Sequence, residues 1–165
     1  MLGDAARKGQ SWDNPEAVLD GLKRASSANI PGMKVSHMKF NTPADGNTSY
    51  VLSNAKQYQK EASGDAGLSF NLNNVSFDNV SADGRLVDRK WGHSTSIFNS
   101  DGSPHNNSRV TSMIDQADRQ IAAANGKPIR WEISTKLGAE GIQDLFDAND
   151  IPIDVKYIPQ NSIMQ

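Results

Sequence analysis

The chain is predicted to be α+β, with a central mixed β-sheet made of an antiparallel meander and a parallel strand-helix-strand unit, flanked by helices. Three observations predict this. Between residues 68 and 91, three short runs alternate apolar and polar residues and are separated by Asn-rich and Asp-Gly turns, the pattern of a meander. From Val110 to Ala124, apolar residues recur at helical spacing. Beyond that, Ile129 to Ile133, Ala139 to Ala148 and Ile153 to Ile158 read as strand, short helix, strand with short links, which favours parallel pairing of the two strands.

Taken in order, residues 1 to 12 read as a mobile lead-in. A first helix starts near Asp13 or Asn14, with Pro15 in its first turn and Val18, Leu19 and Leu22 on one face, and ends near Ala28-Asn29. Residues 30 to 46 contain Pro31-Gly32 and Pro43 and look irregular apart from a short strand between Met33 and Phe40. A second helix is expected from Thr48 to Ala62, where Tyr50, Leu52, Ala55, Tyr58 and Glu61 have near-helical spacing and Gly64 is the stop. The meander strands follow at Leu68 to Asn71, Val75 to Asn79 and Arg85 to Trp91. His93 to Ser108 is rich in Ser, Asn, Gly and Pro and reads as a surface loop. The third helix puts Val110, Met113, Ile114, Ala117 and Ile121 on its apolar stripe, with Gln116 and Gln120 bordering it, and Asn125-Gly126 closing it. Trp91 and Trp131 are expected in the core.

At 165 residues with an apolar share of 36%, the chain can bury a core as one globular unit, assigned to residues 46–165, with residues 1–45 as a helical and irregular extension. The absence of cysteine excludes disulfides, zinc-thiolate sites and cysteine nucleophiles. The longest apolar runs are far too short to span a bilayer, and Met1-Leu2-Gly3-Asp4 does not begin a signal peptide, so export would need a fused carrier. A net charge of −2 provides no general attraction for nucleic acid, which leaves only a local basic rim for that purpose.

The chemistry-bearing segment is Val75 to Lys90. An acidic residue, Asp78, precedes an Asp83-Gly84 turn, and Asp88-Arg89-Lys90 follows it on an apolar strand. Residues directly opposite in an antiparallel pair share a face, so Asp78 faces Asp88 or Lys90 only if the loop has an odd number of residues. A three-residue turn of Ala82, Asp83 and Gly84, with Gly84 left-handed, meets that condition. The β-carbons of Asp78 and Asp88 then lie roughly 5 Å apart, close enough to share a hard cation, with Lys90 on the same face. Two carboxylates and an amine in this arrangement are the minimum set for metal-assisted phosphodiester hydrolysis: carboxylate oxygens hold Mg²⁺, and the ammonium stabilises the charge developing on phosphate.

With these residues in view, the segments Tyr58-Gln59, Gly64, Phe77-Asp78, Leu86 to Lys90, Gln116 to Gln120, Pro128 to Trp131 and Val155 to Pro159 together resemble the restriction-endonuclease-fold toxin domains of bacterial polymorphic toxins. The likeness is greatest to the group called Tox-REase-5 and covers about residues 55 to 159. It implies a PD-(D/E)xK nuclease that uses Mg²⁺ or Mn²⁺ to cut DNA in the cytoplasm of a competing cell. Such a domain would be exported on an upstream carrier without a signal peptide of its own and restrained by a cognate immunity protein. By this resemblance Asp78 and Asp88 are metal ligands and Lys90 is the catalytic lysine. Gln59 stands at the edge of the site with Glu61 as its competitor, and Gln116 and Gln120 reach in from the third helix. Arg89 between the acid and the lysine, and Glu132 after Trp131, depart from the usual pattern.

Other readings stay open at this stage. A metal-independent RNase would use Lys90 and His93 with Ser94 or Thr95 in acid–base catalysis. His93, His105 and Asn106-Asn107 invite a ββα-metal reading, but the third helix offers Asp115 and Gln116 and no histidine. A catalytically inactive binding module on a nuclease-like scaffold is the non-enzymatic alternative.

Overall fold

The computed structural model describes residues 15–37, 50–62 and 67–160. The lead-in, the start of the first helix before Pro15 and the Gly64 stop lie outside the described residues. Within them the chain is α+β, but its strands form two sheets rather than one.

Helix α1 (Pro15–Ala28) begins with proline, whose missing N–H costs nothing in a first turn. Its inward face differs from the expected one. Leu19 and Leu22 are 56% and 43% exposed, and the buried residue is Gly21. The helix lies so close to the sheet that a β-carbon at Gly21 would come within 2.5 Å of the Leu68 side chain. Arg24 secures that approach by donating from Nε to the Val80 carbonyl at 2.7 Å and from Nη2 to Asn79 Oδ1 at 2.8 Å. The described part of the first 45 residues is thus joined to the rest of the fold: α1 packs on the strands, and β1 (Lys34–His37) is one of them.

The first sheet is antiparallel in the order β1, β2 (Leu68–Leu72), β3 (Val75–Phe77). Asn73 and Asn74, both at positive φ (50° and 68°), make the two-residue turn between β2 and β3, a conformation that asparagine tolerates better than most residues. The second sheet has the order β4 (Asn79–Val80), β5 (Leu86–Lys90), β6 (Ile129–Ile133), β7 (Ile153–Tyr157). Its first pair is antiparallel and the other two are parallel.

The single sheet expected from the sequence divides at Asp78. Phe77 pairs with Phe70 in the first sheet, whereas Asn79 pairs with Val87 in the second. The Asp78 N–H still bonds the Val87 carbonyl at 2.8 Å, but the next ladder donor, the Arg89 N–H, bonds the Asp78 side chain instead of a backbone carbonyl. Once a side chain takes the place of the strand, the ladder cannot continue past it.

Helix α2 (Tyr50–Glu61) packs on β5. Helix α3 (Asn107–Ala124) crosses from β5 to β6, and α4 (Lys136–Ala148) crosses from β6 to β7. Both crossing helices start three residues before the positions expected from the sequence, Val110 and Ala139, because polar caps begin them. Asn106 accepts from the Arg109 N–H at 3.2 Å, and Thr135 accepts from the Gly138 N–H at 3.1 Å. The core between sheets and helices centres on Phe70, Phe77, Trp131, Ile133, Ile142 and Phe146, with Trp131 meeting Phe146 edge-on at 5.0 Å. Among the described residues, no helix is long and apolar enough to cross a membrane.

Candidate active site

Alternation along β5 separates two polar groups onto opposite faces. Asp88 is in register with Trp131 and Lys90 with Ile133, so these side chains share the face covered by α3; Arg89 pairs with Glu132 on the other. On the α3 face, Asp88 is only 6% exposed. Its Oδ2 contacts Lys90 Nζ at 2.9 Å and accepts from Gln120 Nε2 at 3.0 Å. Gln120 Oε1 in turn accepts from the Trp131 indole at 2.7 Å. Lys90 also donates to Gln116 Oε1 at 2.6 Å, and its ammonium lies 4.7 Å from the centre of the Trp131 ring. The result is a continuous chain of contacts running from Trp131 through Gln120, Asp88 and Lys90 to Gln116.

Asp78 completes the cluster from the neighbouring strand. The turn has three residues as required, with Gly84 at φ 86°, and Ser81 and Arg85 closing it through a 2.9 Å hydrogen bond. Pairing Asn79 with Val87 places Asp78 across from Asp88. Asp78 Oδ2 accepts the Arg89 N–H at 2.8 Å. Burial and then repulsion from Asp88 push its carboxyl well above the usual range, against the pull of that N–H and of Lys90. The protonated form donates to Asp88, so the two carboxyls are within hydrogen-bonding reach of each other.

Ionising both carboxyls beside a single ammonium would leave excess negative charge in a confined space, and a hard divalent cation would offset it and suits that donor set. Asp78 and Asp88 would hold it. No third His, Cys, Asp or Glu joins them among the described residues, so water and substrate phosphate would fill the other positions, as is usual for Mg²⁺.

The structure does not bring Gln59 to this cluster. Helix α2 meets β5 on its other face, where the Arg89 guanidinium lies 4.6 Å from the centre of the Tyr58 ring and donates to the Tyr58 carbonyl at 3.3 Å. No hydrogen bond from the Gln59 side chain reaches Asp78, Asp88 or Lys90, and Glu61 accepts from Gln57 at 3.3 Å on its own helix. Arg89 and Glu132, which look out of pattern in the sequence, form a buried network here. Glu132 binds Arg89 at 2.7 Å and Arg130 at 2.9 Å. The sequence signal for this network was present in the alternation of β5, which puts the middle residue of Asp88-Arg89-Lys90 on the face opposite to its neighbours.

Past Lys90 the chain turns sharply through Gly92 (φ 80°) and His93 (φ 55°). Here Trp91, expected in the core, lines a groove of about 560 Å³ with His93, Ser94, Thr95, Arg109 and Gln160. The His93 ring contacts the Trp91 carbonyl at 3.1 Å, and burial holds its pKa down at about 4, so the ring is neutral at neutral pH. His105 is tied to the Thr95 carbonyl at 2.7 Å and supplies no partner histidine.

Compared with protein-family models, curated proteins and solved structures, the chain matches none of them.

Proposed function

We propose that this chain is a metal-dependent endonuclease of the restriction-endonuclease type, hydrolysing phosphodiester bonds in DNA. The observation that carries the proposal is the convergence of Asp78, Asp88 and Lys90 on one face of the sheet, with Gln116 and Gln120 bonded into the same cluster. A nuclease of this type needs an oxygen-donor pair beside a fixed ammonium. The hairpin supplies both.

When bound, Mg²⁺ or Mn²⁺ supplies a Lewis acid for the phosphate and an acidified water. The chain's own residues do the rest. Asp88 is oriented by Lys90 and Gln120, and Asp78 by the Arg89 N–H, so both carboxylates are placed before substrate arrives. Lys90 spends two donors on Asp88 and Gln116, and its third N–H is available to a phosphate oxygen as negative charge develops there. Its side chain is 14% exposed, which strengthens that interaction by excluding water.

The setting follows from the sequence resemblance: a toxin carried into a competing cell on a larger exported protein, active in the cytoplasm there, and held inactive at home by an immunity protein. Plasmid incubated with purified protein and Mg²⁺ should be nicked or degraded, and EDTA should stop the reaction. Lys90→Ala and Asp88→Asn should each lower the rate by about a hundredfold or more. Full activity of Lys90→Ala would overturn the assignment. Growth arrest on cytoplasmic expression, relieved by Asp88→Ala, tests the toxin role.

A further inference from the structure

The groove beyond Lys90 belongs to none of the roles assigned above. Of its lining residues none is acidic, although Asp88 is close enough to act on its His93. The lining supplies donors instead. Arg109 is exposed and forms no ion pair among the described residues. Gln160 accepts the Trp91 indole N–H at 2.8 Å through Oε1, while its Nε2 is buried without a hydrogen-bond partner. A buried donor left unmet by the protein is one that a bound oxygen would satisfy. Ser94 and Thr95 add hydroxyls.

The groove is also placed relative to the carboxylates. Lys90 and Arg109 are both close enough to His93 to disfavour its charged form, and His93 and Arg109 line the groove together. Arg109 and Gln116 are seven residues apart on α3, two turns along the same face, or about 10 Å along its axis. Gln116 holds the Lys90 ammonium at 2.6 Å, so a cation two turns along the helix from it is placed for a different phosphate of the same strand.

We infer that this groove binds a backbone phosphate of the substrate strand next to the scissile one, with Arg109 as its main ligand and Gln160 Nε2 as a second donor. The inference rests on the nuclease reading and adds to it a substrate-positioning residue. It also explains how a chain with a net charge of −2 holds a polyanion: a local acid-free groove does so beside the catalytic carboxylates.

Binding of fluorescein-labelled duplex DNA to the intact protein, measured by anisotropy in EDTA across a salt series, separates binding from cleavage. Arg109→Ala should weaken binding about tenfold and reduce the slope of log K against log salt by about one, and Arg109→Lys should retain most of the slope. Arg119→Ala, which removes another exposed charge from α3, should change neither. In Mg²⁺, Arg109→Ala should raise KM while leaving kcat within a few fold. Unchanged affinity and slope in Arg109→Ala, or an equal loss in Arg119→Ala, would overturn the subsite. Arg109-dependent binding without any cleavage by the wild type would instead sink the nuclease reading and leave the groove standing. Cleavage with no dependence on Arg109 would remove the groove alone.

Discussion

Gln120 donates its amide to Asp88 Oδ2 at 3.0 Å while its oxygen accepts the Trp131 indole N–H at 2.7 Å. An indole only donates, so it fixes which end of the Gln120 amide faces Asp88. A core tryptophan thereby orients a carboxylate in the candidate active site.

Replacing Gln120 by methionine keeps the volume but leaves the buried Trp131 N–H without its acceptor, at a cost of about 1–3 kcal/mol, and leaves Asp88 Oδ2 with Lys90 alone of its two side-chain partners. Urea denaturation of Gln120→Met should show a loss of about 1–3 kcal/mol at unchanged m-value, together with reduced cleavage. A variant as stable as the wild type would show that the amide bridge contributes nothing.

The raised pKa of Asp78 makes stability depend on pH. Its folded form keeps a proton that the unfolded chain releases near the ordinary value, about 3.9. Its contribution is therefore fully present below that value and is lost as pH rises through the folded pKa. His93, held at about 4 by burial, acts in the opposite direction: stability falls as pH drops from about 6.5 toward 4, because only the unfolded chain takes up the proton. In metal-free buffer, Asp78→Asn should remove the loss on the alkaline side and His93→Asn the loss on the acid side. Asparagine is chosen for His93 because it accepts φ 55°. Denaturation curves with unchanged pH slopes in both variants would contradict this account.

On the opposite face of β5, Glu132 is shared by Arg89 at 2.7 Å and Arg130 at 2.9 Å, with side chains 7–18% exposed. Glu132→Leu strands two cations in a confined place and should cost about 3–5 kcal/mol. Changing Arg89 and Glu132 together to apolar residues should cost less than the single change. A double variant less stable than Glu132→Leu would show that the pair itself is a net gain.

Gly138, in the first turn of α4, has no room for a side chain. A β-carbon there would lie 1.9 Å from the His93 carbonyl oxygen. Backbone cannot move aside as a flexible side chain does, so Gly138→Ala should destabilise by about 1–3 kcal/mol or more and displace the segment that borders the groove. Chemical denaturation tests the first effect, and DNA binding in EDTA tests the second.

Much of the site was legible in the sequence. The alternation of Val75 to Lys90 and the three-residue turn at Ala82, Asp83 and Gly84 determined that Asp78 and Asp88 lie opposite each other with Lys90 on the same face. These relationships are local, set by the pleat and by one hairpin. The helices, the strand at Ile129–Ile133 and the parallel closing unit were legible for the same reason, since each follows from periodicity and short links.

Tertiary structure alone decided the rest. That α2 covers the Arg89 face, which leaves Gln59 away from the carboxylates, depends on which side of the sheet a distant helix chooses. That Gln120 is buried rather than bordering its stripe depends on Trp131, whose indole N–H needs an acceptor in the core. The division of the meander at Asp78 also required a competition that periodicity does not encode. Both β3 and β4 satisfy strand patterning, and the backbone N–H of Arg89 bonds a carboxylate where a sheet would have offered a carbonyl. Pattern specifies what a segment is able to form, whereas burial and the pairing of every enclosed polar group select which partner it takes.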